Sequence, residues 1–151
     1  MALPDLAYRL IGRFSTTRVD RVLHPVLYRL TGGRGFIGRP LGAETILVTA
    51  PGRRTGQPRT VALFGVQRDG GWAVIASRGG TRRIPDWYRN LVAASAVTVR
   101  SLGETVPVVV RELEGESYEA AFEQAAAMYA GYRLYRREAP YHIPILLLVP
   151  Q

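Results

Sequence analysis

The spacing of apolar positions changes character at about residue 45. Before it the pattern is helical. Leu23, Val26, Leu27 and Leu30 recur at three and four within a segment running from residue 4 to about 30, with Arg18, Arg21 and Arg29 on other faces. Pro25 predicts a break or a helix start inside it. TGGRGFIGRPLG (31–42) holds too many chain breakers for a regular element and reads as a connector. After it come strand-like runs: Thr45–Ala50, Thr60–Gln67 and Trp72–Ser77. Asp69–Gly70–Gly71 is a hairpin signal between the last two, so the three make an antiparallel meander. Pro85–Ala94 predicts a helix with Pro85 at its start and Trp87, Leu91 and Ala94 on one side. Val97–Arg100 and Thr105–Leu113 are strands around the turn Leu102–Gly103–Glu104. Ser117–Ala130 is the strongest helix, with Tyr118, Ala121, Phe122, Ala125, Ala126 and Tyr129 on one stripe and Gly131 as its stop. Ile143–Val149 is a final buried strand. Six strands, a middle helix and a late helix, without internal repeat, close most simply into a small antiparallel barrel flanked by helices, a mainly β, α+β class. The organisation expected is a helical segment and connector over 1–42 and a barrel over 43–151, together one globular domain.

Composition narrows the chemistry. The 151 residues are 47% hydrophobic and 21% charged, a globular balance with enough chain for one core. No cysteine is present, which excludes disulfides, thiolate metal sites and cysteine nucleophiles. His24 and His142 are the only histidines and have no second ligand at helical or hairpin spacing, which argues against zinc or non-haem iron. The net charge is +8, and every basic residue is arginine. Guanidinium forks match phosphates and carboxylates, so anionic partners are expected: a phosphorylated cofactor, nucleic acid or an anionic membrane. A GC-rich genome would also favour arginine. Asp5, Arg9 and Arg13 interrupt any leader-like apolar stretch at the start, and Ile143–Pro150 is far short of the roughly 20 residues that span a bilayer. A cytoplasmic protein is expected, with the first thirty residues available to lie on a membrane surface.

Gly52–Arg53–Arg54–Thr55–Gly56–Gln57–Pro58–Arg59 places three guanidiniums, a hydroxyl and two glycines on one turn between strands. Glycines let the backbone approach an anion, and the arginine forks would hold its oxygens; a solvated hairpin would use the same residues. A second basic turn, Ser77–Arg78–Gly79–Gly80–Thr81–Arg82–Arg83, follows the third strand. In a meander both turns fall at the same end of the sheet, which would let two loops share one anion. Gly33–Arg34–Gly35–Phe36–Ile37–Gly38 spells GxGxxG, but it follows a helical segment and no acidic residue stands about 20 positions on. Tyr129, Tyr132 and Tyr135, spaced by three, would lie on one broad side of a helix, either to face a bound ring or to fill the core.

Four segments in order, GRRTGQPR, WAVIASRGG, IPDWYRNL and MYAGYRLY, resemble the deazaflavin-dependent nitroreductase family from Leu27 to Val149. That resemblance implies a six-stranded split β-barrel of the FMN-binding split-barrel type, the coenzyme F420 and actinobacterial relatives. It implies that Arg53, Arg54, Thr55 and Arg59, with Gln57 and Pro58 nearby, hold the cofactor's phosphate and oligoglutamate tail, joined by Arg78 and Gly79. Ile75, Ala76, Ser77 and Trp87 would border the deazaflavin ring, as would Asp86, although many members carry an apolar residue at that position. Tyr129, Tyr132 and Tyr135 would face the substrate, with Phe64 where some members have tyrosine. The activity implied is hydride transfer from the reduced deazaflavin to an enone, quinone or nitro acceptor, with Tyr129, Tyr132 or Ser77 stabilising the charge that develops.

Three other readings stay open at this point. The barrel could use FMN instead. A basic protein could bind nucleic acid or an anionic surface without catalysis. The N-terminal helix could carry a quinone reductase to a membrane surface, or pack on the barrel or on a partner in a homodimer.

Overall fold

The computed structural model describes residues 4–14, Val26 and 44–151. Helix α1 spans Asp5–Phe14. Strands β1 (Glu44–Pro51), β2 (Pro58–Arg68) and β3 (Gly71–Ile75) follow, then α2 (Asp86–Ala93), β4 (Val97–Ser101), β5 (Glu104–Glu112), α3 (Gly115–Met128), α4 (Gly131–Glu138) and β6 (Ile145–Pro150). The strands close into a barrel in the order β1-β2-β3-β6-β5-β4, every neighbour antiparallel. Of the helical segment expected over residue 4 to about 30, α1 forms the first part; Arg18, Arg21, Leu23, Leu27, Arg29, Leu30 and the connector 31–42 lie outside the described residues.

Alternation along the strands builds two cores. Inward residues Ile46, Val48, Ala50, Val74, Val97, Val99, Val108, Leu146 and Leu148 fill the barrel, and Leu91 of α2 packs into the same cluster. Outward Val66, Ala73, Ile75, Ile145 and Leu147 meet Tyr118, Ala121, Phe122, Ala125 and Ala126 of α3 and Leu134 of α4. Strands β3 and β6 are therefore covered on both faces, which is why Ile145–Val149 is an unbroken apolar run.

Two hairpins end the barrel on one side. Asp69 (φ 50°) and Gly70 (φ 75°) turn β2 into β3, and Leu102 (φ 49°) and Gly103 (φ 91°) turn β4 into β5. Both central residues are left-handed, the geometry that matches strand twist. Glu44 fastens this end from inside: its carboxylate accepts from Gln67 Nε2 (2.8 Å), Trp72 Nε1 (3.2 Å) and the Ser101 hydroxyl. The antiparallel order then sends the C-terminal ends of β1, β3 and β5 to the opposite rim. The loop 52–57, the stretch 76–96 and the stretch 113–144 all leave from there.

The late helical region differs most from the sequence pattern, which did not predict a second helix there. The helix expected over Ser117–Ala130 ends at Met128; Tyr129 is extended (φ −144°, ψ 100°), and Gly131 starts α4 instead of stopping α3. A Cβ at Gly131 would fall 2.4 Å from the Tyr129 ring. The glycine is there so that the Tyr129 phenol can fold back over the backbone.

Candidate cofactor site

The loop 52–57 is closed by its own backbone. Gly52 N–H donates to the Gln57 carbonyl (2.8 Å), and Gly56 N–H donates to the Gly52 carbonyl (2.8 Å), with Gly56 left-handed at φ 67°. Its side chains project outward, and Arg53, Arg54, Thr55, Gln57, Pro58 and Arg59 are all exposed residues. Arg53 is the exception to a free fork. Its Nη1 donates to Asn90 Oδ1 (3.0 Å), its Nη2 to Asp86 Oδ1 (3.1 Å), and its backbone N–H also reaches Asn90 Oδ1 (3.2 Å). The arginine turn is thus docked on the first turns of α2.

The second loop reaches the same place. Arg78, Gly79 and Gly80 are successive left-handed residues (φ 46°, 64° and 76°), unusual for an arginine. Gly80 sits against Tyr135, where a Cβ would come within 2.8 Å of its ring. Tyr141, just before β6, donates its hydroxyl toward the Ser77 and Arg83 carbonyls (3.3 Å each) and pins the loop from above. The Arg53 hydrogen bond, with the charges of Arg53, Arg89 and Arg78, holds the Asp86 carboxyl below the ordinary carboxylate range against an opposing push from burial. Both basic loops therefore act on one carboxylate.

Several arginines elsewhere are paired. On the helices, Arg133 meets Glu123, Arg136 meets Glu119, Arg137 meets Asp5 and Arg9 meets Glu138. Among the described residues Arg54, Arg59, Arg78, Arg82 and Arg83 form no ion pair. All five lie at one rim and leave positive charge there without an ion-pair partner.

The expected ring-bordering residues lie deeper than the arginines. Ile75, Ala76 and Ser77 are buried, Ile75 inside the outer core and Ala76 at 0% exposure. Trp87 is half-buried and packs toward the barrel interior. Phe64 faces outward on β2, paired with Thr45. Thr81, not singled out from sequence, has a buried hydroxyl without a partner. Such a group is one that a bound molecule satisfies.

The three tyrosines do come together, but not along one helix. Tyr129 lies in the break between α3 and α4, while Tyr132 and Tyr135 lie in α4; all three are buried. Their rings meet edge-on or tilted, 5.4 to 6.2 Å between centroids, and Tyr8 of α1 joins at 5.3 Å. Burial raises all three phenols above their usual value, most strongly Tyr135, where the Tyr129 hydrogen bond adds to it. At neutral pH they are donors, not bases. Tyr135 donates to the Tyr8 carbonyl (2.9 Å), so in the Tyr129–Tyr135 pair (2.7 Å) Tyr129 must be the donor. The Tyr132 hydroxyl makes no hydrogen bond among the described residues.

A closed antiparallel barrel of this order, with unpaired arginines at one rim and a cluster of protonated phenols beside them, defines a split-barrel protein. The sequence profile of the F420H(2)-dependent quinone reductase family matches residues 21–150, and the chain belongs to that family. An F420H(2)-dependent quinone reductase of Mycobacterium tuberculosis is 36% identical over 77 residues, 51% of this chain and 52% of that protein. The chain thus spans about half the length of the curated relatives it matches. A solved F420-H2 dependent reductase is 33% identical with a TM-score of 0.63, covering 69% of this chain and 92% of that one. A structure described as a domain-swapped dimer is 33% identical with a TM-score of 0.64, over 69% and 78% of the two chains. The haem storage protein HutZ of Vibrio cholerae, at 17% identity and a TM-score of 0.53, shares the fold alone.

Proposed function

We propose that this chain is an F420H2-dependent reductase acting on a quinone-type organic acceptor, enones and nitro compounds being of the same electrophilic class. The observation that carries this reading is the rim where Arg54, Arg59 and Arg78 lack ion pairs among the described residues while Arg53 already grips a carboxylate oxygen. That donor set fits a tail of phosphate and carboxylates. The orphaned Thr81 hydroxyl adds a further donor or acceptor for the same molecule.

When bound, reduced F420 supplies a hydride; the protein binds, orients and manages charge. Arg53, Arg54 and Arg59, with Thr55, Gln57 and Pro58 of the same loop, hold the tail, and Arg78 and Gly79 extend that grip. Ser77, with Ile75 and Ala76 behind it and Trp87 at the start of α2, forms the wall beside the ring. The buried tyrosines exclude water and present phenolic protons. Tyr132 is the donor toward the acceptor because its proton is uncommitted, whereas those of Tyr129 and Tyr135 are engaged. Phe64 lies on the outer face of β2 as a wall for the acceptor. Residues 43–151 are the cofactor-binding domain. FMN, with one phosphate, would leave part of this rim unmatched.

The test is a fluorescence titration with coenzyme F420 and with FMN. Arg54→Ala should weaken F420 binding at least tenfold while leaving the melting temperature within a few degrees, since an exposed side chain contributes little to stability. Unchanged affinity would remove the loop from the site.

Helix α1 turns Leu6, Leu10 and Ile11 outward, at 66%, 58% and 37% exposure, an apolar face that supports a homodimer contact or membrane docking. Among the described residues no helix is long and apolar enough to cross a membrane. Light scattering and liposome co-sedimentation separate the two.

A further inference from the structure

Asp86 is the odd residue of the basic rim. It is an acid on the exposed first turn of α2, its side chain 70% open to solvent, set among arginines from three elements. Arg53 comes from the loop 52–57, Arg78 from the loop after β3, and Arg89 from α2 itself at 4.0 Å. Asp86 Oδ1 accepts from Arg53 at 3.1 Å, the arrangement a ligand carboxylate or phosphate oxygen would adopt on the same guanidinium.

We propose that Asp86 is a resident counter-anion that shares Arg53 with the polyanionic tail of the ligand, lowering the affinity of the site and hastening release. The inference rests on the reading of this rim as the cofactor-tail site.

Two simpler roles for Asp86 make different demands. As a positioning residue it would be needed to aim Arg53. Asn90 already does that, accepting from both the Arg53 side chain and its backbone N–H. The fork therefore stays in place without the acid. As a helix N-terminal charge, Asp86 would favour the α2 dipole and affect stability but not binding. A fixed negative charge on the clamp does neither of these things alone. It satisfies Arg53 while the site is empty and repels each incoming anionic group. The repulsion between unit charges about 4 Å apart in water corresponds to roughly fivefold in an equilibrium constant. Exposure keeps the pair in the screened, exchangeable regime where one anion can replace another.

The experiment compares wild type with Asp86→Asn, which keeps an oxygen acceptor at Oδ1 and removes the charge, and with Asn90→Ala. Two probes are titrated at low and at physiological ionic strength: coenzyme F420, and inorganic tripolyphosphate as a tail-only anion. Stopped-flow displacement gives the dissociation rates. Asp86→Asn should bind both probes roughly three- to tenfold more tightly at low salt, through slower dissociation and with a steeper salt dependence. Asn90→Ala should bind both more weakly. Affinity of Asp86→Asn equal to or below wild type for tripolyphosphate would overturn the proposal, whether the melting temperature moves or not. A wild type that binds tripolyphosphate, with the Asp86→Asn gain, but not F420 would instead overturn the cofactor reading and leave the counter-anion in place.

Discussion

Tyr129 donates its phenolic proton to Tyr135 at 2.7 Å, and Tyr135 passes its own to the backbone carbonyl of Tyr8 at 2.9 Å. This chain links the break between α3 and α4 to the N-terminal helix. It divides three tyrosines of equal spacing into two tied by their hydroxyls and one, Tyr132, whose hydroxyl has no partner among the described residues.

Phenylalanine substitutions separate these roles. Tyr135→Phe leaves the Tyr129 hydroxyl and the Tyr8 carbonyl without their partner and should cost about 1–3 kcal/mol of stability. Tyr132→Phe removes no hydrogen bond among the described residues and should leave the melting temperature near wild type while lowering kcat for quinone reduction by roughly 100- to 10,000-fold, the scale of a proton donor. Denaturant unfolding and steady-state kinetics read the two effects. Equal losses of stability in both variants would end the division.

Alkali should act on the same cluster. Tyr129, Tyr132 and Tyr135 ionise above the ordinary phenol range because burial disfavours the phenolate. A group whose folded value is raised contributes stability that is complete below the unfolded value, near 10, and is lost as pH climbs toward the folded one. Absorbance near 295 nm should therefore show these phenols ionising late, together with loss of near-ultraviolet dichroism. Titration of all tyrosines near pH 10 in a folded protein would contradict the buried cluster.

Gly80 is where the basic loop leans on Tyr135. At φ 76°, with a Cβ only 2.8 Å from the ring, alanine would be strained twice. Gly80→Ala should displace the loop carrying Arg78, weaken F420 binding at least severalfold and lower stability by about 1–3 kcal/mol. Gly70→Ala, also at positive φ but with open space around it, is the control: it should lose a comparable backbone term and keep its affinity.

Glu44 predicts the opposite pattern. Its carboxylate gathers Gln67, Trp72 and Ser101 at the far end of the barrel. Glu44→Ala should destabilise by about 1–3 kcal/mol without changing F420 affinity, as calorimetry and titration would show.

Short strand-type apolar runs and the turn signals at Asp69–Gly70–Gly71 and Leu102–Gly103–Glu104 made the barrel legible from the residues, because each depends on neighbours close in sequence. The burial of β6 was legible as an unbroken apolar run. The two arginine turns were placed at one rim by counting strand directions alone. What sequence spacing could not show was tertiary pairing. Nothing local marks Asn90 as the acceptor for Arg53, or Tyr141 as the clamp on residues 77–83. The helix over Ser117–Ala130 was read two residues too far because Gly131 looks like a stop; its reason is the Tyr129 ring folding back over it. The Tyr129, Tyr132 and Tyr135 spacing suggested one helical face, but α3 ends between the first and the others.

The sealed pole of the barrel offers a practical handle. Asp69–Gly70 and Leu102–Gly103 are exposed at the end of the barrel opposite the two arginine-bearing loops. A fluorophore or an affinity peptide grafted at either tip would report on, or immobilise, the molecule without crowding the arginine rim. Ligand exchange could then be followed on a surface with the working end facing outward.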